Sequence, residues 1–309
     1  MNNPWAFSRP RFLMCRPEFF AVRYSINPWM DPKSWADSGM LLHATAMQQW
    51  AGLHRTLLAS GATLEAIEPA PSLPDLVFTA NAAVVLDRKA LLASFRHPER
   101  QRERPALAAG FRALKARGLI EEIVEMPEGI TLEGAGDCIW DQRRGLFWVG
   151  SGFRSDAAAS AVIGEQFGAP CLPLTLADPS FYHLDTAFCV LSHGDVIYFP
   201  GAFTAEALDT IHAHVVPNAR IALDRADAAR FAANAVCIDR TVVLSSCSVR
   251  LRGALEDRGY RIIETPLETF QRSGGSACCL TLRLDHQTKA SSTLMGRSRL
   301  LENSYCEEG

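Results

Sequence analysis

The residues most suggestive of chemistry lie near the C-terminus, in Ser273-Gly274-Gly275-Ser276-Ala277-Cys278-Cys279-Leu280-Thr281-Leu282-Arg283-Leu284. Two glycines allow positive φ or a close backbone approach, and the alternating apolar run after the cysteines predicts a strand. A thiol would then stand at the mouth of a strand. A nucleophilic cysteine needs partial exposure, a nearby base and a backbone that holds it; this stretch supplies the first and the third. Cys278 and Cys279 would equally serve as small core hydrophobes.

Other polar residues interrupt apolar surroundings. Pro74-Asp75-Leu76-Val77-Phe78-Thr79-Ala80-Asn81 sets Asp75 and Asn81 at the two ends of a short strand, on one face because their separation is even. Asp75 beside proline also reads as a turn residue. Leu132-Glu133-Gly134-Ala135-Gly136-Asp137 puts two carboxylates around a small-residue loop, suited to a cation, to acid/base work or to a plain turn. It lacks the Lys and Ser/Thr of a phosphate loop, and its acids sit inside where a dinucleotide fingerprint has none, so nucleotide binding is disfavoured. In Phe181-Tyr182-His183-Leu184-Asp185-Thr186-Ala187-Phe188, His183 and Asp185 alternate with apolar residues. On a strand they would point to one side, as a general base with an acid beside it, or as a satisfied core histidine. Arg96 and Arg154 each follow an apolar stretch; at strand ends they suit a substrate carboxylate, elsewhere the solvent.

The elements that must carry these residues alternate. Strands are expected at 11–15, 63–67, 76–78, 82–86, 120–124, 145–149, 171–176, 187–191, 196–199, 235–238, 241–244 and 261–264. Amphipathic spacing predicts helices at 37–60, 104–118, 156–167, 204–214, 224–234 and 248–259, several stopped by glycine. About fifty residues hold two or three strands and one helix, and this unit recurs. Close strand pairs exceed what a strictly parallel sheet gives, so the pattern predicts an α/β fold of similar modules around a centre.

At 309 residues, 48% hydrophobic and 21% charged, the chain can bury a large core in one large or two modest domains. A net charge of -3 and a pI of about 6.3 provide no basic field for nucleic acid or an anionic membrane. The nine cysteines are odd in number, scattered and free of any CxxC pair, which predicts reduced thiols in a cytoplasm and no structural zinc. The N-terminus lacks the pattern of a signal peptide and no apolar run is of spanning length.

Nine motifs in order are similar to one superfamily: Met14-Cys15-Arg16-Pro17, Ile26-Asn27-Pro28-Trp29-Met30, the Pro74 to Asn81 run, Arg96 to Gln101, Glu133 to Asp137, Gly152-Phe153-Arg154-Ser155, Phe181 to Thr186, Tyr198 to Phe203, and Cys279-Leu280-Thr281-Leu282. Together they resemble the guanidino-group-modifying (amidinotransferase, or pentein) superfamily. Within it the likeness is to dimethylarginine dimethylaminohydrolase-like proteins, especially the arginine dihydrolase module of cyanobacterial arginine-degrading enzymes. It runs from about Arg11 to Leu284, so a single catalytic domain is expected over 11–284, with 1–10 and 285–309 as terminal extensions. The resemblance implies a five-bladed α/β propeller of pseudo-fivefold ββαβ units with a central active site.

By the same resemblance Cys279 matches the nucleophile, with Cys278 as second choice. His183 matches the general acid/base and Glu133 the carboxylate that binds the guanidinium and orients the site. Asp185 matches a second guanidinium contact, Arg96 and Arg154 the clamp on the substrate α-carboxylate, Asp75 the contact to the α-amine, and Phe78 the wall beside the substrate stem. Cys138 and the tail after Leu284 match nothing in the pattern. No cofactor and no metal is implied; the expected partner is a small guanidino substrate, arginine or a methylated arginine, with no nucleic acid or membrane partner and a homo-oligomer left open.

A guanidinium is a poor electrophile and an amine a poor leaving group, so a thiolate must attack and an acid must protonate what leaves. Glu133 and Asp185 would raise the pKa of free Cys279, and a bound cation would lower it, so substrate would activate its own nucleophile. The resemblance further implies that Asn81 stands where deiminases and dimethylarginine hydrolases carry aspartate and dihydrolase-like members carry asparagine. An amide donates and accepts, so it suits neutral citrulline as well as a guanidinium. The expectation is therefore arginine to ornithine, ammonia and carbon dioxide. Deiminase or dimethylargininase chemistry, amidino transfer, and arginine sensing without turnover are the rivals.

Overall fold

The computed structural model describes residues 9–288. The chain forms fifteen strands: β1 (Arg11–Cys15), β2 (Thr63–Ile67), β3 (Ala83–Leu86), β4 (Lys89–Leu92), β5 (Glu122–Glu125), β6 (Cys138–Asp141), β7 (Leu146–Ser151), β8 (Cys171–Thr175), β9 (Phe188–Val190), β10 (Val196–Tyr198), β11 (Arg220–Ala222), β12 (Val236–Ile238), β13 (Thr241–Leu244), β14 (Arg261–Glu264) and β15 (Leu282–Arg283). They make five three-stranded sheets, β3-β4-β5, β6-β7-β8, β9-β10-β11, β12-β13-β14 and β15-β1-β2. In every sheet the middle strand is antiparallel to one neighbour and parallel to the other.

A parallel pair cannot be joined by a tight turn, and each one here is bridged through a helix. The bridging helices are α1 (Pro32–Ala59), α3 (Arg104–Ala116), preceded by the single turn α2 (Pro98–Gln101), α4 (Ala159–Phe167), α5 (Ala205–His214) and α7 (Val249–Glu256). Two further short helices, α6 (Arg225–Ala229) and α8 (Glu268–Gln271), lie between sheets. The result is a mixed α/β fold of five ββαβ units. The fifth is assembled from both ends of the described chain, because β15 pairs with β1 and the Leu284 amide donates to the Arg11 carbonyl.

Several expected boundaries shift for local reasons. The first helix begins at Pro32, where Asp31 caps it by accepting from the Lys33 and Ser34 amides, and it breaks at Ser38, close to the expected start. Strand β4 follows β3 through Asp87 and Arg88, both with positive φ, the type of two-residue hairpin turn that matches strand twist. The expected strand at 76–78 is instead a 3-10 turn over Pro74–Val77, followed at once by another over Thr79–Ala82. The Phe181 to Phe188 run likewise holds a 3-10 turn at Leu184–Thr186, so His183 and Asp185 do not share a strand face. Of the expected extensions, Asp285 accepts from the Arg11 amide and the His286 carbonyl from the Asp87 amide, while 1–8 and 289–309 lie outside the described residues.

The core is divided among the sheets. One cluster, including Trp148, Phe188, Ile197 and Leu251, binds the second, third and fourth units; another, including Phe20, Leu53, Phe78 and Phe270, packs α1 against the segment that carries Cys279. No described helix is long and apolar enough to cross a membrane.

Candidate active site

Five segments join the last strand of one sheet to the first strand of the next, and each delivers polar side chains to the same place. They carry Asp75, Phe78 and Asn81 before β3; Glu133 and Asp137 before β6; His183 and Asp185 before β9; Asn234 before β12; and Cys279 before β15. The five segments are stitched into a closed ring. Asn81 Nδ2 donates to the Glu133 carbonyl at 3.3 Å, Glu133 Oε2 meets His183 Nε2 at 2.7 Å, Asn234 Nδ2 donates to the Asp185 carbonyl at 3.0 Å, the Cys279 amide donates to Asn234 Oδ1 at 3.1 Å, and the Ala80 amide donates to the Cys279 carbonyl at 3.2 Å. Such proximity allows no bulk: a Cβ on Gly136 would fall 2.2 Å from Asn81 Nδ2.

A narrow cleft opens inside this ring, lined by Ile26, Asn27, Asp75, Phe78, Asn81, Arg100, Arg154, Tyr182, Ser273, Gly275 and Cys279. The two adjacent thiols part here. Cys279 faces the cleft, whereas Cys278 lines a different cavity together with Cys189 and Cys237. The Cys279 thiol donates to Asp185 Oδ2 at 3.1 Å and accepts from Asn234 Nδ2 at 3.0 Å. It stands on a turn three residues ahead of β15. Burial, and then Asp185, push this thiol well above its usual range, so without a ligand it is protonated. Burial also lifts the Asp185 carboxyl to about 7, against the bond it accepts from the Cys279 thiol.

Glu133 is fully buried. Burial alone would raise its carboxyl, but the Arg154 guanidinium at 2.9 Å and the bond to His183 pull it well below the usual range. Arg154 also donates to the Ile26 carbonyl at 3.0 Å and lies 4.4 Å from the centre of the Tyr182 ring. Its guanidinium is therefore divided between Glu133 and the cleft wall.

Arg96 stands at the edge of this arrangement. Its amide donates to Glu133 Oε1, but its guanidinium turns to Asp156 at 2.6 Å and is two-fifths exposed, away from the cleft. Arg100, one turn of α2 further on, lines the cleft instead. It is clasped by both oxygens of Glu103 at 2.8 and 2.9 Å and donates to Asn81 Oδ1 at 2.7 Å and to the Asp75 carbonyl at 3.2 Å. Burial works against this cation, but Glu103 more than offsets it and drives Arg100 further toward the charged form. The sequence signal was present in His97-Pro98-Glu99-Arg100, a helix start whose following turn faces inward, but the second of four arginines in an Arg-rich run reads as surface.

Two acceptors in this constellation are unusual. Asp75 Oδ1 and Asp185 Oδ1 are buried and have no hydrogen-bond partner among the described residues, although their sister oxygens are bonded, Asp75 Oδ2 to the Tyr24 hydroxyl at 2.7 Å. Unpaired buried carboxylate oxygens are costly, and a cationic ligand would satisfy both. Asp137, in contrast, is fully engaged: it accepts from the Leu184 amide at 2.9 Å and from the Ser155 hydroxyl at 2.6 Å, so it fastens the His183 segment and does not face the cleft.

Comparison with known proteins gives one consistent likeness. The eukaryotic N,N-dimethylarginine dimethylhydrolase family matches over residues 17–285. The chain is 39% identical over 277 residues to the bifunctional arginine dihydrolase/ornithine cyclodeaminase AgrE of Nostoc sp., covering 90% of this chain and 38% of that protein. It is 37% identical over 274 residues to the N(G),N(G)-dimethylarginine dimethylaminohydrolase of Mycobacterium tuberculosis, covering 89% of this chain and 85% of that one. A crystal structure of the N-terminal domain of the cyanobacterial arginine dihydrolase ArgZ, bound to substrate, superposes with a TM-score of 0.84 at 37% identity, covering 90% of this chain and 99% of that domain. The chain thus spans less than two fifths of the length of the bifunctional AgrE and ArgZ proteins. With a match across nearly all the described residues and a buried Cys, His and Glu constellation on the same fold, the chain belongs to the dimethylarginine dimethylhydrolase family.

Proposed function

We propose that this protein hydrolyses the guanidino carbon of L-arginine through a covalent Cys279 thiouronium and carries citrulline on to ornithine, so that arginine and two waters give ornithine, carbon dioxide and two ammonia. The observation that carries this reading is the pair of unpartnered buried oxygens on Asp75 and Asp185, one in the cleft wall and one on the carboxylate whose other oxygen accepts from the Cys279 thiol. They are two anionic acceptors for a substrate with two cationic ends, an α-amine and a guanidinium, while Arg100 and Arg154 offer themselves to an α-carboxylate. The five sheets are read as blades of a propeller, a reading that the closed ring of inter-segment hydrogen bonds supports.

In this mechanism the guanidinium lies against Asp185 and takes up the carboxylate oxygen that the thiol had used. Nearby positive charge lowers the thiol pKa, and the thiolate attacks the guanidino carbon. His183, held by Glu133, gives its proton to the leaving nitrogen, and ammonia departs. Water then attacks the thiouronium, His183 recovers a proton from it, and the C–S bond breaks to release the ureido product. A second round on citrulline follows if the product stays in the cleft. Asn81 is the residue assigned to that choice.

AgrE and ArgZ are named as arginine dihydrolases, and the likeness to them favours the second round. Likeness to the mycobacterial dimethylarginine hydrolase keeps alkylamine release from methylated arginine as the alternative. Purified protein given L-arginine should yield ornithine and ammonia in a ratio of one to two. Citrulline as sole end product would reject the second round, and turnover confined to dimethylarginine would select the alternative.

A further inference from the structure

The side chain of Asn234 uses its full hydrogen-bonding capacity around the candidate nucleophile. Its Oδ1 accepts from the Ser276 amide at 3.0 Å and the Cys279 amide at 3.1 Å; its Nδ2 donates to the Asp185 carbonyl at 3.0 Å and to Cys279 Sγ at 3.0 Å. Its own carbonyl accepts from the Cys278 amide at 3.3 Å, and the residue is fully buried. One amide thus binds the turn that carries the sulfur, the segment that carries Asp185, and the sulfur itself.

The two hydrogen bonds of the sulfur respond oppositely to deprotonation. The thiol donates to Asp185 Oδ2, so loss of its proton leaves a thiolate facing a carboxylate. The bond from Asn234 Nδ2 needs no proton on sulfur, and it strengthens when sulfur becomes an anion. We propose that Asn234 is a further catalytic residue, whose neutral donor holds Cys279 Sγ as a thiolate and keeps it aimed into the cleft. A neutral partner suits this role: a cation there would compete with the guanidinium for Asp185, and a second anion beside Asp185 would disfavour the thiolate further. The other groups around the sulfur are Asp185, Cys278 and Tyr182, with Asp75, Arg100 and Arg154 across the cleft.

This inference rests on Cys279 being the nucleophile, but its test needs no turnover. Alkylation of Cys279 by iodoacetamide follows the thiolate fraction, and fragment mass spectrometry separates it from Cys278. With Asn234→Asp, the rate at pH 8 should fall at least tenfold, equivalent to one unit in thiol pKa. Asn234→Ala should fall in the same direction by less, while the partly exposed Cys247 should react as before. Should either variant fail to fold by circular dichroism, wild-type protein with 15N-asparagine decides the matter. One side-chain amide resonance should move as pH is raised, and that movement should vanish in Cys279→Ala. An unchanged alkylation rate in folded Asn234→Asp, or no asparagine amide that tracks Cys279, overturns the role of Asn234. Absence of arginine turnover with the alkylation result intact would instead overturn the proposed substrate alone.

Discussion

Arg100 Nη1 holds the carboxamide oxygen of Asn81 at 2.7 Å, and the nitrogen of the same carboxamide donates to the Glu133 carbonyl at 3.3 Å. The orientation of the amide is therefore fixed by its neighbours, with the remaining hydrogen on Nδ2 as the only donor it can still offer a ligand. Asn81→Asp would turn the contact with Arg100 into an ion pair and remove the donor toward Glu133. Arginine consumption is expected to persist, but to stop at citrulline, converting a dihydrolase into a deiminase. A chromatographic time course of citrulline and ornithine checks this, and ornithine formed at the wild-type ratio would contradict it.

The two arginines of the Arg96 to Arg100 run should separate cleanly in kinetics. Arg96→Ala removes a half-exposed pair with Asp156, worth about 1 kcal/mol or less, so KM for arginine should change no more than about fivefold. Arg100→Ala would strand the buried Glu103, which costs about 3–5 kcal/mol of stability. The doubly neutral Arg100→Gln/Glu103→Gln protein avoids that charge and should raise KM by more than about tenfold, since one hydrogen bond to a charged group is worth about 1.5–3 kcal/mol. Steady-state kinetics with melting curves measure both. A larger KM effect from Arg96→Ala would return the clamp to that residue.

A pH dependence follows from Asp185, lifted to about 7. Below that pH the carboxyl is neutral and attracts a guanidinium poorly, so kcat/KM for arginine should rise with pH through a midpoint near 7 and level off about one unit above it. Asp185→Asn should be slower and should lack that acid limb. The stability effect has the opposite sense. A carboxyl raised in the folded state favours folding at low pH, and its contribution is lost as pH rises from its unfolded value of 3.8 through about 7. The melting temperature of wild type relative to Asp185→Asn should accordingly decline between about pH 4 and pH 7, a window set by that shift. A difference that grows with pH would show that the carboxyl is not raised.

Gly275 is the tightest point beside the nucleophile. A Cβ there would lie 2.6 Å from Phe78 Cε1 and 3.2 Å from Cys279 Cβ, so the ring, the sulfur or both must shift. Displacement of a reacting group by about 1 Å costs on the order of a hundredfold in rate. Gly275→Ala is expected to lower kcat by about that factor with the fold retained. Kinetics together with circular dichroism test it, and near-wild-type kcat in a folded protein would place Phe78 and Cys279 on more yielding supports than the structure indicates.

The sequence by itself determined the kinds of group available and the rhythm of the elements. Apolar periodicity and glycine stops located most strands and helices, because these depend on which side chains a local segment must bury. Residue chemistry singled out His183, Glu133, Asp185, Asp75, Asn81, Arg154 and the pair Cys278 and Cys279, of which the family resemblance picked Cys279; apart from Cys278 these come together within or against one cleft. What local pattern could not decide was direction. His183 and Asp185 looked like neighbours on a strand face, yet a 3-10 turn points one at Glu133 and the other at Cys279. Arg100 looked like one more solvated cation until Glu103, Asn81 and the Asp75 carbonyl enclosed it. Asn234, within Phe231-Ala232-Ala233-Asn234-Ala235, carried no signal at all, because its four side-chain partners lie 42 to 49 residues away. Those contacts exist only once the five inter-sheet segments have closed on one another, and closure depends on packing between units that no single window of the chain contains.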